Sequence, residues 1–474
     1  MVGSLILAIY LIDVILLITM LFLERGDPYK VMFWMIVLIV MPVGGFLIYL
    51  LFGQTFYPKF AFRPRFINDD DIRGLKSAGM RAIKESESEG FRYAPLASAL
   101  DRVGAHMYSN DNEVKLYTDG NEKFADMIED LKSAKNFIHL EYYIIRKDEL
   151  GNEIVRILTE KASQGVEVRL LADGIGYNTS PRSTRALENA GGEVRLFHSL
   201  ATVMLSPKKN NRNHRKIAII DGRVGYIGGF NIGVEYLGKG PLGNWRDSAI
   251  RIQGSAINPL AMRFLADWRY ASHQDRFSGD YYADPSVRGI GDTGVQIVNG
   301  GPDMGERNGI AFQYLMMVEE ARESILIHTP YLAPDEACMR ALRSAALRGV
   351  DVRIIIPDKA DHPFVYWCNR RYAHDLMKDG VRVYEYNDGF VHSKTVVVDH
   401  YLCSVGSANF DDRSMGLNFE SNAMVYSDKI GAEMQDAFMR DLESCTEYTE
   451  EMYAGRTFIQ RLKTSISWLV SEQL

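Results

Sequence analysis

The chain has 474 residues, of which 47% are hydrophobic and 24% are charged, a composition typical of globular proteins. A chain of this length is too long to fold around one ordinary hydrophobic core, so we expect two or three domains. The formal net charge of -7 argues against a general nucleic-acid binder, although a local cluster of Lys and Arg could still hold an anionic substrate.

Two apolar segments open the chain. Residues 2–23 are interrupted only by Asp13, and residues 31–52 contain no charged side chain. Each segment reaches the roughly 20 residues that a helix needs to cross the hydrocarbon core of a bilayer. With the short polar connector between them, they predict a two-helix transmembrane hairpin over residues 1–55. A cleaved signal peptide is the alternative, but it requires a basic start and a small-residue cleavage site, which this segment lacks.

Basic residues near the ends of the predicted spans indicate the orientation. The hairpin loop has two of them and the segment before the first span has none. Five follow the second span: Lys59, Arg63, Arg65, Arg73 and Lys76. By the positive-inside rule, we expect the large domain to lie in the cytoplasm and the hairpin loop outside. The chain also has four widely spaced cysteines, which suit free thiols in a reducing compartment: Cys338, Cys368, Cys403 and Cys445.

The region after about residue 109 contains an internal repeat. Residues 133–141 resemble residues 320–328, and residues 164–171 resemble residues 348–355. Each block is the end of a helix followed by an apolar strand, which predicts α/β units with a mostly parallel sheet covered on both sides. We therefore expect a juxtamembrane linker, residues 56–108, and two pseudo-symmetric α/β sandwich halves, residues 109–275 and 276–474.

A third repeated block is the motif His-x-Lys-x4-Asp, which occurs once in each half. The two copies are His214, Lys216 and Asp221, and His392, Lys394 and Asp399. In both copies, His and Lys open an apolar strand and point to one face of it, and Asp ends the strand. A second short strand then leads to an Asn, 17 residues after the His in both copies.

This pattern supplies the groups that phosphodiester chemistry needs. Two His rings can provide an attacking nitrogen and a proton donor on opposite sides of phosphorus, and their pKa values should be pushed apart. The two lysines and the amides of Asn231 and Asn409 can hold the non-bridging oxygens, where charge builds in the transition state. The spacing of Asp, Glu and His residues does not indicate a metal, so we expect neither a metal nor a cofactor.

Each motif histidine should also have a carboxylate that fixes its tautomer. The candidates are Asp247, 33 residues after His214, and Glu420, 28 residues after His392. This interpretation pairs each carboxylate with the histidine of its own half, and a solvated acid at a strand end is the alternative. Three other histidines are expected to be ordinary core residues: His139, His328 and His374.

Together these features resemble the phospholipase D superfamily, whose members carry two such motifs, and within it the bacterial cardiolipin synthases. The likeness rests on the double span ending at Gly53 and on four segments: residues 214–217, 228–231, 329–331 and 406–414. The resemblance implies that Ser407, in the last segment, binds substrate together with Asn231 and Asn409.

The resemblance further implies a metal-independent exchange in two steps. One histidine attacks phosphatidylglycerol, forming a phosphatidyl-histidine and releasing glycerol. The hydroxyl of a second phosphatidylglycerol then attacks to give cardiolipin, although phosphatidylethanolamine or another alcohol could also serve as the second substrate. By analogy, His214 is the nucleophile and His392 is the general acid and then the base. The family also counts the motif aspartates, Asp221 and Asp399, in the active site, whereas their position at strand ends is typical of residues that stabilise turns.

Other functions remain open at this point. A phospholipase D hydrolase would use the same residues with water as the acceptor. A nuclease of the same superfamily is less compatible with the negative net charge of the chain. A membrane scaffold without catalytic activity would not need both motifs. The basic residues before the first motif could attract lipid head groups: Lys208, Lys209, Arg212 and Arg215. The tail, residues 457–470, could lie on the membrane or pack as a terminal helix.

Overall fold

The computed structural model describes residues 10–12, 14–15, 17–18, 28–41, 44–45, 49, 69–104, 106–198, 211–274, 280–304, 307–469 and 471. The chain divides into two compact units: residues 1–64 with 200–210, and residues 65–199 with 211–474. The first unit contains helix α1, Pro28–Val40. Within the described ranges, no helix combines the length and the apolar character needed to span a membrane. Much of the predicted hairpin, including Asp13 and its loop up to residue 27, lies outside the described residues, as do Lys59, Arg63 and Arg65.

The second unit is built on one large sheet, to which each half contributes strands. The strands of the first half are β1 Tyr108–Tyr117, β2 Phe137–Tyr142, β3 Glu167–Asp173, β4 Glu193–Phe197, β5 Lys216–Ile220, β6 Val224–Gly228, β7 Trp245–Arg246 and β8 Ala249–Gln253. The strands of the second half are β9 Thr293–Gly300, β10 Ser324–His328, β11 Leu332–Ala333, β12 Asp351–Pro357, β13 Arg382–Tyr386, β14 Phe390–Val391, β15 Thr395–Val398, β16 Leu402–Gly406, β17 Phe410–Asp411, β18 Glu420–Tyr426 and β19 Cys445–Glu447.

Helices connect these strands and pack on the sheet. Those up to the end of the first half are α2 Asp69–Ser88, α3 Ala94–Gly104, α4 Gly120–Ser133, α5 Glu149–Ser163, α6 Pro181–Asn189 and α7 Ile257–Ser272. Those of the second half are α8 Gly309–Glu320, α9 Glu336–Leu347, α10 Pro363–Met377, α11 Asp412–Gly416, α12 Asp428–Leu442, α13 Glu450–Ala454 and α14 Phe458–Leu469. Short 3-10 turns occur at Val234–Leu237 and Pro285–Val287.

The strand order confirms the predicted duplication. The two halves meet at the antiparallel pair β1–β9. Counted outward from this pair, the first half has the order β1-β8-β6-β5-β2-β3-β4 and the second half has β9-β18-β16-β15-β10-β12-β13, followed by β19. Each of the seven strands of the first half in this sheet therefore has a counterpart in the second, which adds only β19, and the two α/β halves share one continuous sheet.

The prediction of a mostly parallel sheet is wrong. Within this sheet, parallel pairing joins β2 to β3, β3 to β4, β10 to β12 and β12 to β13, and the other neighbouring strands are antiparallel. The cause is the tight turn after each motif. Asp221 and Asp399 have positive φ angles of 54° and 49°, and three residues separate β5 from β6 and β15 from β16. Such a short connection can join only antiparallel strands.

Helices cover both faces of the sheet, as the sandwich prediction required. On one face of β2, Ile138 and Leu140 pack in a core that includes residues of α4 and α5. On the other face, the ring of His139 stacks on Phe264 of α7, with ring centroids 4.5 Å apart. The equivalent contact in the second half joins His328 to Phe438 of α12, at 4.8 Å. His139, His328 and His374 are buried, which confirms the interpretation of these three as core residues.

The region interpreted as a juxtamembrane linker, residues 56–108, contains more structure than expected. Helices α2 and α3 lie within it, and Ile83, Leu96 and Leu100 join the hydrophobic core of the second half. Their apolar spacing along the helices is the reason, because a helix with one apolar face is stabilised by burying that face. All four cysteines are free thiols, as predicted.

Candidate active site

Backbone hydrogen bonds join the two halves beside each motif. The N–H of His214 donates to the carbonyl of Phe419 at 2.9 Å, and the N–H of Phe419 donates to the carbonyl of Arg212 at 2.8 Å. In the symmetric position, β14 pairs in parallel with β7, and the N–H of His392 donates to the carbonyl of Arg246 at 2.8 Å. Each motif histidine is therefore held by backbone from the opposite half.

As a result, each motif histidine contacts a carboxylate of the opposite half. Nδ1 of His214 lies 2.9 Å and 3.1 Å from the two carboxylate oxygens of Glu420, and Nδ1 of His392 lies 2.6 Å from Oδ2 of Asp247. The predicted carboxylates do contact the motif histidines, but pairing each with its own half was wrong. The reason is that Glu420 directly follows Phe419, and Asp247 directly follows Arg246. A carboxylate at Nδ1 keeps the proton there and leaves the Nε2 lone pair for reaction.

The motif lysines lie beside their own histidines and within electrostatic reach of one another. Nζ of Lys216 donates to the carbonyl of His214 at 2.6 Å, and Nζ of Lys394 donates to the carbonyl of His392 and lies 3.0 Å from its Nδ1. Burial, reinforced by the charge of Lys394 and opposed by Glu420, lowers the pKa of Lys216 to about 7. Burial lowers the pKa of Lys394 to about 8. The charge of Lys394 acts on both His214 and Lys216, which supports the prediction that the two motifs belong to one site.

The pKa values of the two histidines shift in the same direction. Burial lowers the pKa of His214 to about 4, against the opposing charge of Glu420. Burial and the charge of Lys394 lower the pKa of His392 to about 3. Both rings are therefore neutral near pH 7, whereas the sequence interpretation expected the two values to be pushed apart. The negative charge of a phosphodiester beside the rings would raise both pKa values, so substrate binding would favour protonation of a ring.

Glu420 is held by more than its histidine. Oγ of Ser407 donates to Oε2 of Glu420 at 2.5 Å, and the amide of Asn418 donates to Oε1 at 3.2 Å. Despite its burial, Glu420 has a lowered pKa because His214, Lys216 and Ser407 favour the ionised form. Ser407, predicted as a substrate ligand, is therefore placed as a residue that positions Glu420.

The two predicted asparagines also have partners within the protein. The amide nitrogen of Asn231 donates to the hydroxyl of Tyr236 at 2.9 Å, and its oxygen accepts from the N–H of Ile144 at 3.2 Å. The amide nitrogen of Asn409 donates to Asp411 at 3.1 Å. Since an amide nitrogen carries two N–H donors, each side chain uses one of them here and could present the other to a phosphate oxygen.

The motif aspartates bind the backbone of the neighbouring strand. Asp221 accepts from three consecutive N–H groups, at residues 135–137, over 2.7–2.8 Å. Asp399 does the same with the N–H groups at residues 322–324, at 2.8–3.2 Å. Each lies five residues after its lysine, roughly 15 Å along an extended strand. This geometry agrees with a turn-stabilising role and gives no support to direct contact with the reacting atoms.

Aromatic residues enclose the histidines, and the sequence interpretation did not identify them. The ring centroid of Tyr143 is 4.9 Å from that of His214, and the centroid of Trp245 is 5.2 Å from that of His392. The hydroxyl of Tyr236 lies 3.3 Å from Nδ1 of His392. These rings limit the access of water to the imidazoles. The position of Trp245 two residues before Asp247 was the available signal.

Two further features differ between the halves. Gly229 occupies the position equivalent to Ser407, and a Cβ atom there would lie 2.1 Å from Oδ1 of Asp247, so a side chain is excluded. Lys123, buried behind Lys216, lies 3.1 Å from the hydroxyl of Tyr142, and burial lowers its pKa well below the usual range. Its counterpart in the second half is Ile310.

Arg215, suggested above as a head-group ligand, is instead fully buried in an ion pair with Asp267 at 2.7 Å.

Comparisons with known proteins identify the family. The family model described as "Cardiolipin synthase, PLD-like domain" matches residues 127–268 and 314–442, which contain both motifs. A second model, "Phospholipase_D-nuclease N-terminal", matches residues 11–54. A cardiolipin synthase of Staphylococcus aureus is 40% identical over 479 residues, covering 99% of this chain and 96% of the relative.

Two other proteins extend the comparison. A cardiolipin synthase of Clostridium perfringens is 40% identical over 454 residues, covering 95% of each chain. The crystal structure of a phosphatidylserine synthase from Haemophilus influenzae covers 80% of this chain with a TM-score of 0.60 and 14% identity, a likeness of fold. On the two matched regions and the identity over almost its full length, the chain belongs to the cardiolipin synthase family of phospholipase D-like proteins.

Proposed function

We propose that this chain is a cardiolipin synthase, a phosphatidyltransferase that converts two molecules of phosphatidylglycerol into cardiolipin and glycerol. The observation that carries the proposal is the crossed pairing of His214 with Glu420 and of His392 with Asp247. This pairing makes one site from the two proposed halves, residues 109–275 and 276–474, with each half supplying one histidine and one carboxylate. The family assignment supports the substrate class.

In the first step, Nε2 of His214 attacks the phosphorus of phosphatidylglycerol. A P–N bond forms, the P–O bond to glycerol breaks, and His392 gives the proton that it gains beside the anionic diester to the glycerol oxygen. The choice of His392 as the acid follows the family resemblance, because the order of the two pKa values in the free site does not favour it. The positive charges of Lys216 and Lys394 stabilise the negative charge on the non-bridging oxygens. Glu420 stabilises the positive charge that develops on the ring of His214.

In the second step, a hydroxyl of another phosphatidylglycerol attacks the phosphatidyl-histidine. His392, now neutral, takes the proton of that hydroxyl, the new P–O bond forms, and the P–N bond to His214 breaks to release cardiolipin. His392 then holds a proton for the next cycle. The aromatic rings of Tyr143 and Trp245 favour transfer over hydrolysis, because they restrict water near the imidazoles.

The proposed location follows from the substrate. A diacyl lipid stays in the bilayer, so anchoring the enzyme there raises the local substrate concentration. We propose that residues 2–23 and 31–52 form a two-span anchor in the bacterial cell membrane, with the second unit on the cytoplasmic side. The match of residues 11–54 to a family model and the basic residues after the second segment support this topology.

The proposal is tested with the purified full chain in detergent micelles that contain phosphatidylglycerol. We expect cardiolipin and glycerol in equal amounts, and no turnover by the His214→Ala variant. Phosphatidic acid as the main product would identify a hydrolase, and cleavage of added DNA or RNA would identify a nuclease. Lipid turnover by His214→Ala equal to that of the unmodified chain would contradict an enzymatic role for this site.

A further inference from the structure

The C-terminal helix α14 packs on the body with its small polar residues. Its buried residues are Thr464 and Ser467, which are 2% and 1% exposed. By contrast, large apolar side chains of the same helix face outward: Phe458 is 81% exposed, Ile459 is 64% and Leu469 is 75%. This arrangement is the reverse of the usual surface helix, whose apolar face is buried against the core.

The outward residues form one surface and are not scattered. Positions 458, 462, 466 and 469 are three or four residues apart and therefore lie on one side of a helix. Leu462, Ile466 and Trp468 are also 44–49% exposed. Single exposed apolar residues are common, but a contiguous apolar face on a folded domain indicates contact with a partner or a membrane. We refer to this face of residues 458–469 as the apolar surface of α14.

A basic cavity of about 360 Å³ lies beside this surface. Its lining includes the side chains of Arg371, Arg456, Arg461, Tyr453 and Trp468. The guanidinium of Arg456 stacks on the ring of Tyr453, 3.3 Å from its centroid, and that of Arg371 lies 5.6 Å from the centroid of Trp468. Residues 456–469 include Lys463 and contain no acidic side chain. Arg371 is paired with Asp375 at 3.1 Å, so the positive charge that favours an anionic ligand here comes from Arg456, Arg461 and Lys463.

We infer that α14 is an interfacial helix that binds the surface of a bilayer containing anionic phospholipid. Its apolar surface inserts between the head groups, and the phosphate groups lie beside Lys463 and the arginines of the cavity. An apolar face next to clustered basic side chains is typical of helices that lie on anionic membranes. A second copy of the chain fits less well, because a symmetric contact would bring the same basic residues together.

Helix α10 connects this surface to the active site. Nζ of Lys463 lies 5.6 Å from the ring centroid of Trp367, and Arg371 contacts Trp468, so α14 runs along α10. Helix α10 begins two residues after Asp361, which accepts a hydrogen bond from the hydroxyl of Tyr331 at 2.6 Å. Burial lowers the pKa of Lys394, and the negative charge of Asp361 acts in the opposite direction, which places Asp361 near the active site.

The consequence concerns the position of the site relative to its substrate. A bilayer bound to α14 would also lie near the first turn of α10, where Phe364 is 46% exposed. The edge of the active site would then be held at the lipid head groups, beyond what the N-terminal segments contribute. This consequence rests on the proposed function, whereas lipid binding by α14 does not.

Spin labelling of the full chain tests the inference. A Cys445→Ala background removes the thiol that is not fully buried, and Leu462→Cys places a label on the apolar surface of α14. The control is Leu347→Cys at the end of α9, where the leucine is 71% exposed, compared with 49% for Leu462. Both variants are reconstituted in nanodiscs of phosphatidylcholine, with or without phosphatidylglycerol, and the accessibility of the label to oxygen and to a water-soluble nickel complex is measured.

We expect the label at position 462 to gain oxygen contact and lose nickel contact only when phosphatidylglycerol is present, while the label at position 347 stays in water. A water-exposed label at position 462 in both lipids, or equal shielding in both, would overturn the inference. Dipolar broadening between labels at position 462 in liposomes would identify a second copy as the partner and would also overturn it. Because this readout needs no turnover, it is independent of the proposed activity.

Kinetics provide a second test. The double variant Ile459→Gln, Leu462→Gln changes only exposed side chains, so we expect it to fold. Its apparent KM on vesicles should rise by about tenfold or more, and replacing Arg461 and Lys463 with Gln should weaken vesicle binding by roughly fivefold per charge. Turnover of a short-chain, water-soluble phosphatidylglycerol should not change in either variant. An unchanged KM on vesicles would contradict the inference.

Discussion

The substitution Glu420→Gln removes the charge next to His214 and keeps the size of the side chain. Glu420 is fully buried, and its two oxygens lie 2.9 Å and 3.1 Å from Nδ1 of His214. A hydrogen bond to a charged group contributes about 1.5–3 kcal/mol, so losing its ionic part slows the reaction by about 10- to 100-fold. Gln can also turn its amide nitrogen toward Nδ1 and favour the wrong tautomer, which in a comparable triad costs about 10⁴-fold. We therefore expect kcat to fall by about 10- to 10⁴-fold.

The assay is the formation of cardiolipin in micelles, with thermal unfolding to show that the variant is folded. The control is Glu336→Gln, whose carboxylate is 72% exposed and bridges Arg340; its kcat should not change, because exposed ion pairs contribute little. A folded Glu420→Gln variant whose kcat is within threefold of the original would refute the reasoning.

Ring titration separates crossed pairing from pairing within one half. The charge of Glu420 opposes the effect of burial on His214, so Glu420→Gln should lower the pKa of that ring below about 4. Asp247→Asn should lower the pKa of His392 and leave His214 nearly unchanged. Nuclear magnetic resonance of labelled histidine rings measures both values, and the reverse assignment would contradict the crossed pairs.

Three further predictions concern the same unit. Burial lowers the pKa of Lys216 to about 7 and that of Lys394 to about 8, so their charged forms are lost as the pH rises through these values, and kcat/KM should fall on the alkaline side; a flat pH profile up to pH 10 would contradict this. Asp221→Asn should lower the free energy of unfolding by about 1–3 kcal/mol with kcat of the folded protein within twofold, and a stable variant with a large loss of kcat would disprove the structural role. Gly229→Ala places a Cβ 2.1 Å from Oδ1 of Asp247 and should lower kcat at least about tenfold, since the carboxylate must move away from His392; Gly416→Ala, whose Cβ meets nothing within 4 Å, is the control that should leave kcat unchanged.

The duplication and the identity of the motif residues could be predicted from the sequence because they depend on local patterns. Strand periodicity places His and Lys on one face, and the same spacing to Asn231 and Asn409 recurs in both halves. The structural role of Asp221 and Asp399 was also visible, because an aspartate at the end of a strand and before a turn commonly accepts backbone N–H groups.

The crossed pairing of the carboxylates could not be predicted in this way. It depends on which strands meet at the centre of the sheet, and the pair β1–β9 joins residues that are far apart in the sequence.

The wrong prediction of a mostly parallel sheet had a different cause. The interpretation gave more weight to the repeated helix–strand units than to the three-residue turns after Ile220 and Val398, which require antiparallel pairing. Ser407 was assigned from its segment alone, without knowledge that Glu420 lies next to it.

The most direct test of the account is to trap the covalent intermediate. The full chain is mixed with phosphatidylglycerol that carries labelled phosphorus, quenched in acid-free denaturant within milliseconds, and digested to find the labelled residue. The account predicts one label per chain, on His214, which disappears into cardiolipin when unlabelled phosphatidylglycerol is added before the quench. Label on His392, equal label on both histidines, or turnover without any protein-bound phosphorus would contradict a single site in which His214 attacks and His392 transfers the proton.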